Sequence, residues 1–138
     1  MQIMSDTQPE TPEQLFLRFH YAELKDLTKH FLTLIAGSLV LSVSFADKIL
    51  PLTAATSFQK ALLGGSWLAL LISLVLAGAG LFINYLSGEQ ATGGIIYDYQ
   101  VEFRTLVRRS YVCLDLAAVI FGIALALLAA TAVTRYFD

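Results

Sequence analysis

Three long stretches of this chain are almost free of charged residues, and they limit the folds open to it more than any other feature. The first is uncharged over residues 31–46 and the second over 61–86. The third covers 112–134 and carries one formal charge, at Asp115. Because about 20 consecutive apolar residues cross the hydrocarbon core of a bilayer as an α-helix, the sequence predicts an all-α integral membrane protein with three transmembrane helices.

The composition agrees with this fold class and argues against several kinds of function. Of the 138 residues, 57% are hydrophobic and 14% are charged, with a formal net charge of −2. Soluble domains carry about 25% charged residues. A slightly acidic chain has no basic surface for nucleic acid. The length predicts a single domain, and the lone cysteine, Cys113, excludes an intrachain disulfide.

We expect the first and third spans to continue as amphipathic helices outside the bilayer. Residues 1–11 are polar and are predicted to be flexible. The predicted elements are a helix over 12–50 containing the span 31–50, a second span over 61–86, and a helix over 95–136 containing the span 112–134.

Local signals set these boundaries. A capping box from Thr11 to Gln14 indicates the first helix start, and Pro51 disfavours helix beyond residue 49. Residues 51–60 are predicted to form a short connection, and the glycine-rich stretch 87–94 is predicted to break the second helix.

Two alternatives concern the first helix. Residues 12–29 either project from the membrane or lie on its surface, hinged near His30. The first span is predicted to be a retained anchor and not a cleaved signal peptide, because five acidic residues precede it.

The basic residues predict the topology. Most of them lie before the first span and between the second and third, namely Arg18, Lys25, Lys29, Arg104, Arg108 and Arg109. The positive-inside rule then places the amino terminus in the cytoplasm and the carboxyl terminus in the periplasm or outside the cell. The extensions 12–29 and 95–110 would both be cytoplasmic, where their apolar stripes would pack together, against neighbouring subunits or against a protein partner.

Small and polar residues recur along one face of each span. The second span carries Ala69, Ser73, Ala77, Gly80 and Asn84, and the third carries Ala118, Gly122, Ala126 and Ala130. Such stripes let helices approach closely, and Asn84 is a candidate to hydrogen-bond across the contact, so we expect a homo-oligomer. In the first span, Gly37, Ser38, Ser42 and Ser44 either line an aqueous path or favour helix packing.

Asp115 is the only acidic residue inside a predicted span. One interpretation is an interfacial carboxylate that pairs with Arg108 or is reached by water, and the other is a role in conduction or proton handling. His20 and His30 have no third ligand at a useful spacing, so no metal site is predicted. The sequence contains no phosphate-binding loop and no hydrolase or metalloprotease motif. We therefore expect a protein that is not an enzyme and has no cofactor.

The first two spans resemble a family of small bacterial membrane proteins. The resemblance rests on Leu32-Thr33-Leu34, Gly37-Ser38, the run Leu41-Ser42-Val43-Ser44-Phe45, and Ser66-Trp67. This pattern is similar to that of the two-transmembrane effectors of anti-phage systems, including retron and cyclic-oligonucleotide (CBASS) operons, and of SLATT-type membrane modules. It implies an oligomer that perturbs the inner membrane on activation. The third span departs from the two-span type, and no nucleotide-sensing domain accompanies it.

The leading hypothesis is therefore an oligomeric protein of the bacterial inner membrane, acting as a pore-forming or membrane-disrupting defence effector. The alternative is a non-catalytic scaffold or accessory subunit whose cytoplasmic helices dock a larger complex. A transporter is the weaker third class, because no span carries a charge near its midpoint.

Overall fold

A computed structural model describes residues 12–49, 55–91 and 103–137. In these ranges all regular secondary structure is helical: α1 (Pro12–Leu15), a π-helix (Phe16–Tyr21), α2 (Ala22–Ser44), α3 (Ala46–Ile49), α4 (Ser57–Ala91) and α5 (Phe103–Phe137). The helices α2, α4 and α5 are long and apolar enough to cross a membrane. The prediction of an all-α chain with three spans is confirmed, and these are the features of a multi-pass membrane protein.

The first helix is continuous through the position where a hinge was an alternative. Leu15, Tyr21 and Ala22 have right-handed helical dihedrals at the junctions of α1, the π-helix and α2. The helix α2 then passes His30 without interruption. A helix hinged near His30 is therefore not formed, and the departure from α-geometry lies earlier, at Phe16–Tyr21.

The first span ends earlier than predicted. Phe45 leaves helical geometry, with φ of −105° and ψ of 14°, and α3 adds only one further turn. The single continuous helix predicted to residue 50 is thus interrupted five residues before that bound. Pro51 and the predicted flexible residues 1–11 lie outside the described residues.

The helix α4 begins inside the stretch predicted to be a connection. Thr56 and Gln59 form a reciprocal capping box: the Thr56 backbone N–H donates to Gln59 Oε1 at 3.0 Å, and the Gln59 backbone N–H donates to Thr56 Oγ1 at 3.3 Å. These bonds satisfy amide groups that a helix start otherwise leaves unpaired. The predicted connection over 51–60 is therefore wrong for its last four residues.

The carboxyl end of α4 also differs from the prediction, because the helix continues to Ala91 through the first five residues of the break predicted over 87–94. Residues 92–94 lie outside the described residues. Gly88 acts as a contact point here. A Cβ atom at Gly88 would lie 2.5 Å from Cε2 of the Tyr21 ring, so only glycine allows this approach. Ser87 is buried and donates its hydroxyl to the carbonyl of Ile83 at 2.9 Å.

The helix α5 runs without a break from the basic stretch at Arg104 into the apolar span. The predicted start at residue 95 lies outside the described residues. Tyr21, in the π-helix, packs against Gly88 of α4. Residues 95–102 lie outside the described part of the chain, so the packing of 12–29 against 95–110 stays a prediction.

The helix α4 is the centre of the structure, with an extensive contact to α5 and a smaller one to α2. Its buried face repeats every three and four residues: Leu63, Ser66, Leu70, Ser73, Ala77, Gly80, Asn84 and Ser87. On α5 the buried residues Ser110, Ala117, Ala124 and Thr131 follow at intervals of seven. This spacing is typical of helices that pack side by side in left-handed pairs.

The distribution of side chains is the reverse of that in a water-soluble bundle. The contact faces are formed largely by Ser, Ala, Gly, Thr and Asn, whereas large apolar side chains such as Val75, Phe82 and Val119 are more than 60% exposed. Hydrocarbon solvates such side chains, and small interior residues let helix backbones approach. The inversion is a second indication, independent of span length, that these helices belong in a bilayer.

Candidate membrane-embedded sites

Serine hydroxyls of the described helices join α4 to α5 at two positions. The Ser73 hydroxyl donates to the carbonyl oxygen of Ala117 at 2.7 Å, and the Ser110 hydroxyl donates to the carbonyl oxygen of Gly80 at 2.8 Å. All four residues are buried. The two bonds lie one heptad apart on both helices, which establishes a single antiparallel register along the contact.

The predicted small-residue stripe of the second span lies in this contact. Ser73, Ala77, Gly80 and Asn84 are buried, and Ala69 is half-buried. Gly80 is the point of closest approach, since a Cβ atom there would lie 2.9 Å from Leu114 Cγ and 3.3 Å from the Ser110 carbonyl oxygen. The partner of this stripe is therefore α5 of the same chain.

Asn84 leaves one buried polar atom without a partner. Its side chain is 2% exposed, and its Oδ1 accepts no hydrogen bond from the described part of the chain. An unpaired buried amide oxygen costs about 1–3 kcal/mol. The expected bond across the helix contact is not formed at Oδ1.

The small residues predicted for the third span lie on a different face from the one that packs. Ala118, Gly122 and Ala126 are exposed, and nothing lies within 4 Å of a Cβ atom built at Gly122. The residues that pack in the core are others of the same alanine-rich segment, Ala117 and Ala124. This stripe is thus available to the bilayer or to another chain.

Asp115 lies on the same open side of α5 and lines a cavity of about 220 Å³. The other lining residues come from α2 and α5, namely Leu27, Thr28, Phe31, Leu114 and Ala118. The Asp115 side chain is exposed, and the described residues provide no ion-pair partner for it. The pairing with Arg108 considered from the sequence is not formed, since Arg108 lines a separate groove with Ile83.

An aromatic contact joins α2 to α5 beside the Asp115 cavity. The rings of Phe31 on α2 and Phe121 on α5 meet edge to face, with centroids 5.7 Å apart and planes at 87°. The buried Thr28, one turn before Phe31, donates its hydroxyl to the carbonyl of Leu24 at 2.6 Å. The α2 side of the Asp115 cavity is therefore apolar apart from the Thr28 hydroxyl oxygen. The Thr28 hydroxyl proton is donated to Leu24 and is not available to Asp115.

The polar residues of the first span do not share one environment. Ser42 is buried and donates to the carbonyl of Leu39 at 2.9 Å, whereas Gly37 and Ser44 are exposed and Ser38 is half-buried. At Ser42 the hydroxyl bonds back to its own helix, as packing serines do. The other three positions leave both interpretations of this stretch open.

Sequence reasoning missed Ser110 and Gly88, which form contacts between helices, and it missed the buried Thr28. For Ser110 the signal was present, since Ser110, Ala117, Ala124 and Thr131 recur at seven-residue intervals. No group of three His, Cys, Asp or Glu side chains within the described ranges is placed to hold a metal ion. Comparison of the chain with protein families, with curated proteins and with solved structures finds no match.

Proposed function

We propose that this chain assembles into an oligomer in the bacterial inner membrane and perturbs that membrane, as a pore-forming or membrane-disrupting defence effector. In this proposal the amino terminus is cytoplasmic and the carboxyl terminus is periplasmic or extracellular. The excess of Lys and Arg before α2 and before the α5 span supports this orientation.

One observation carries the proposal: Asp115 lies on the open side of a span without a partner in the described chain. A carboxylate exposed to hydrocarbon is costly, so ionisable groups in spans face water, a protein partner or a cavity. Assembly of several chains around this side would give Asp115 an aqueous or polar environment. The same assembly would border a path through the membrane.

The surface around Asp115 favours close contact between chains. Ala118, Gly122 and Ala126 continue from Asp115 along one exposed face of α5. Without side chains longer than a methyl group, this face lets a second helix approach closely, and van der Waals packing then drives association in lipid.

The alternative function, a scaffold subunit, has its own support before the first span. Leu15 is 41% exposed and Phe19 is 52% exposed in the segment that precedes α2. If this segment lies in water, two such side chains on one short helix form an apolar surface for a soluble partner. The scaffold proposal differs from the effector proposal because it requires no change in membrane permeability.

Regulated expression in bacteria with a potential-sensitive dye separates the two functions. We expect the native chain to depolarise the membrane and Asp115→Asn to reduce this effect strongly, with equal amounts of inserted protein. The matched control is Asp26→Asn, an exposed carboxylate at the start of α2, which we expect to depolarise like the native chain. Full membrane potential in cells that contain inserted native protein would contradict the effector function and favour the scaffold.

A further inference from the structure

A groove along α4 and α5 combines three arginines with an apolar floor. Its volume is about 530 Å³. The residues that form it are Ile83 on α4 and Arg104, Thr105, Arg108, Arg109, Val112 and Cys113 on α5. The α5 positions follow one another at helical spacing, so their side chains project from a single face of the helix.

The described residues provide no counter-charge for the arginines of this groove. Arg104, Arg108 and Arg109 are exposed, and none pairs with a carboxylate in the parts of the chain that the structure describes. Arg104 and Arg108 are four positions apart on the helix, where like charges repel. A bound anion would relieve this repulsion, and guanidinium groups bind phosphate oxygens through paired hydrogen bonds.

The groove lies where the border of a membrane is expected. The register set by the Ser110–Gly80 hydrogen bond places Tyr85 level with Thr105, and Tyr85 is 54% exposed. Tyrosine is enriched at the level of lipid headgroups. The three arginines occupy this level, whereas Val112 lies about 10 Å farther into the span than Thr105, at 1.5 Å per residue.

We propose that this groove binds one anionic phospholipid. The phosphate lies among Arg104, Arg108 and Arg109, with the Thr105 hydroxyl as an additional donor, and an acyl chain follows Ile83 and Val112. Basic pockets between spans suit anionic headgroups. A free phosphate ester shares the headgroup chemistry, but it would leave the apolar floor unused, so the occupant is a lipid. The site requires no oligomer and is independent of the effector function.

Native mass spectrometry of the delipidated full chain in neutral detergent tests the proposal. The protein is titrated with phosphatidylglycerol or with phosphatidylcholine of the same acyl chains. We expect one phosphatidylglycerol to bind saturably to each chain, and phosphatidylcholine to bind at least about tenfold more weakly. Each Arg→Gln substitution should weaken the binding of phosphatidylglycerol about fivefold, the effect of removing one basic residue near an anionic surface. High salt should weaken it as well.

Matched variants separate the effect of the groove on lipid affinity from the effect of the overall charge of the chain. Arg104→Gln with Arg108→Gln should lower phosphatidylglycerol affinity, whereas Lys25→Gln with Lys29→Gln removes two exposed charges from α2 and should leave it within about twofold of the native value. Ile83→Trp fills the groove while all arginines remain, and its control is Phe82→Trp on the adjacent outward face of α4. We expect loss of lipid binding only for Ile83→Trp.

Three results would overturn the proposal. The first is equal binding of phosphatidylglycerol by the paired arginine and paired lysine variants. The second is equal binding of the two lipids by the native chain. The third is displacement of phosphatidylglycerol by an equal concentration of glycerol 3-phosphate, which would show that the groove takes a free phosphate ester and gains nothing from acyl chains.

Discussion

The Ser110 hydroxyl donates a hydrogen bond of 2.8 Å to the carbonyl oxygen of Gly80, and so joins α5 to the backbone of α4. The bond forms because Gly80 has no side chain to hold the helices apart, and Leu114 packs over the same glycine. Ser73 and Ala117 repeat this arrangement one heptad away. The α4–α5 pair is therefore held by close backbone approach and by serine hydroxyls more than by interlocking large side chains.

Removal of one of these hydroxyl groups should weaken the helix pair measurably. For Ser110→Ala we expect the free energy of unfolding to fall by about 0.6 kcal/mol, the average for hydrogen bonds between helices in membranes. Ser66→Ala is the control, because Ser66 is equally buried but bonds to Leu63 of its own helix. Equilibrium unfolding in mixed detergent micelles measures both variants. Equal losses for Ser110→Ala and Ser66→Ala would contradict the bond between helices.

Gly80→Ala should be more damaging than the loss of a hydroxyl. The added methyl group would lie within 3.3 Å of the Ser110 carbonyl and closer still to Leu114. The helices must separate or Leu114 must shift, at a cost of about 1–3 kcal/mol. Gly78→Ala is the matched control, since a Cβ atom there meets nothing within 4 Å. The same unfolding experiment should show a loss for Gly80→Ala alone, and a stable Gly80→Ala would show that the contact is looser than described.

Gly88 and Tyr21 should show strong coupling. A methyl group at Gly88 would overlap the Tyr21 ring, so Gly88→Ala should release the π-helix at Phe16–Tyr21 from α4 and increase amide exchange there. In a Tyr21→Ala background the ring is gone, and adding Gly88→Ala should cause no further increase. Hydrogen exchange with peptide mass analysis measures each variant. Additive effects of the two substitutions would contradict direct packing between these residues.

The capping box at the start of α4 predicts a local effect. Thr56→Ala should cost about 1 kcal/mol, because it leaves amide groups of the first turn unpaired. Gln59→Ala should cost a similar amount. Since the two side chains act reciprocally, the double variant should lose less than the sum of the single ones. A double-mutant cycle by equilibrium unfolding gives the coupling, and strict additivity would show that the two bonds are independent.

The sequence was sufficient for the spans because long uncharged segments have few alternatives. It was also sufficient to predict the face of α4 that packs closely, because Ser73, Gly80 and Asn84 stand out among large residues. The same reasoning failed for α5. Small residues surround its whole circumference, with Ala117 and Ala118 adjacent, so residue size alone does not identify the packing face. The seven-residue spacing from Ser110 to Thr131 does identify the packing face, because it matches the heptad spacing of the buried residues of α4.

The predicted helix boundaries were wrong for a different physical reason. Glycine before a polar residue usually indicates a turn, but Gly88 is needed for contact with Tyr21, a residue 67 positions earlier in the chain. Local sequence preferences cannot predict a contact between residues so far apart in the chain. The start of α4 was accessible, since Thr56 and Gln59 have capping-box spacing. Asp115 and Gly122 lie on an exposed face of α5, and the role of this face in assembly stays a prediction.

The mass of the native chain in a lipid nanodisc or mild detergent tests assembly through α5 most directly. The account predicts a mass that is a multiple of the single chain, and a shift towards one chain in Gly122→Leu. Gly64→Leu, a substitution on α4 at an exposed glycine with the same open surroundings, should keep the native mass. A native chain that is monomeric in both environments would contradict the account.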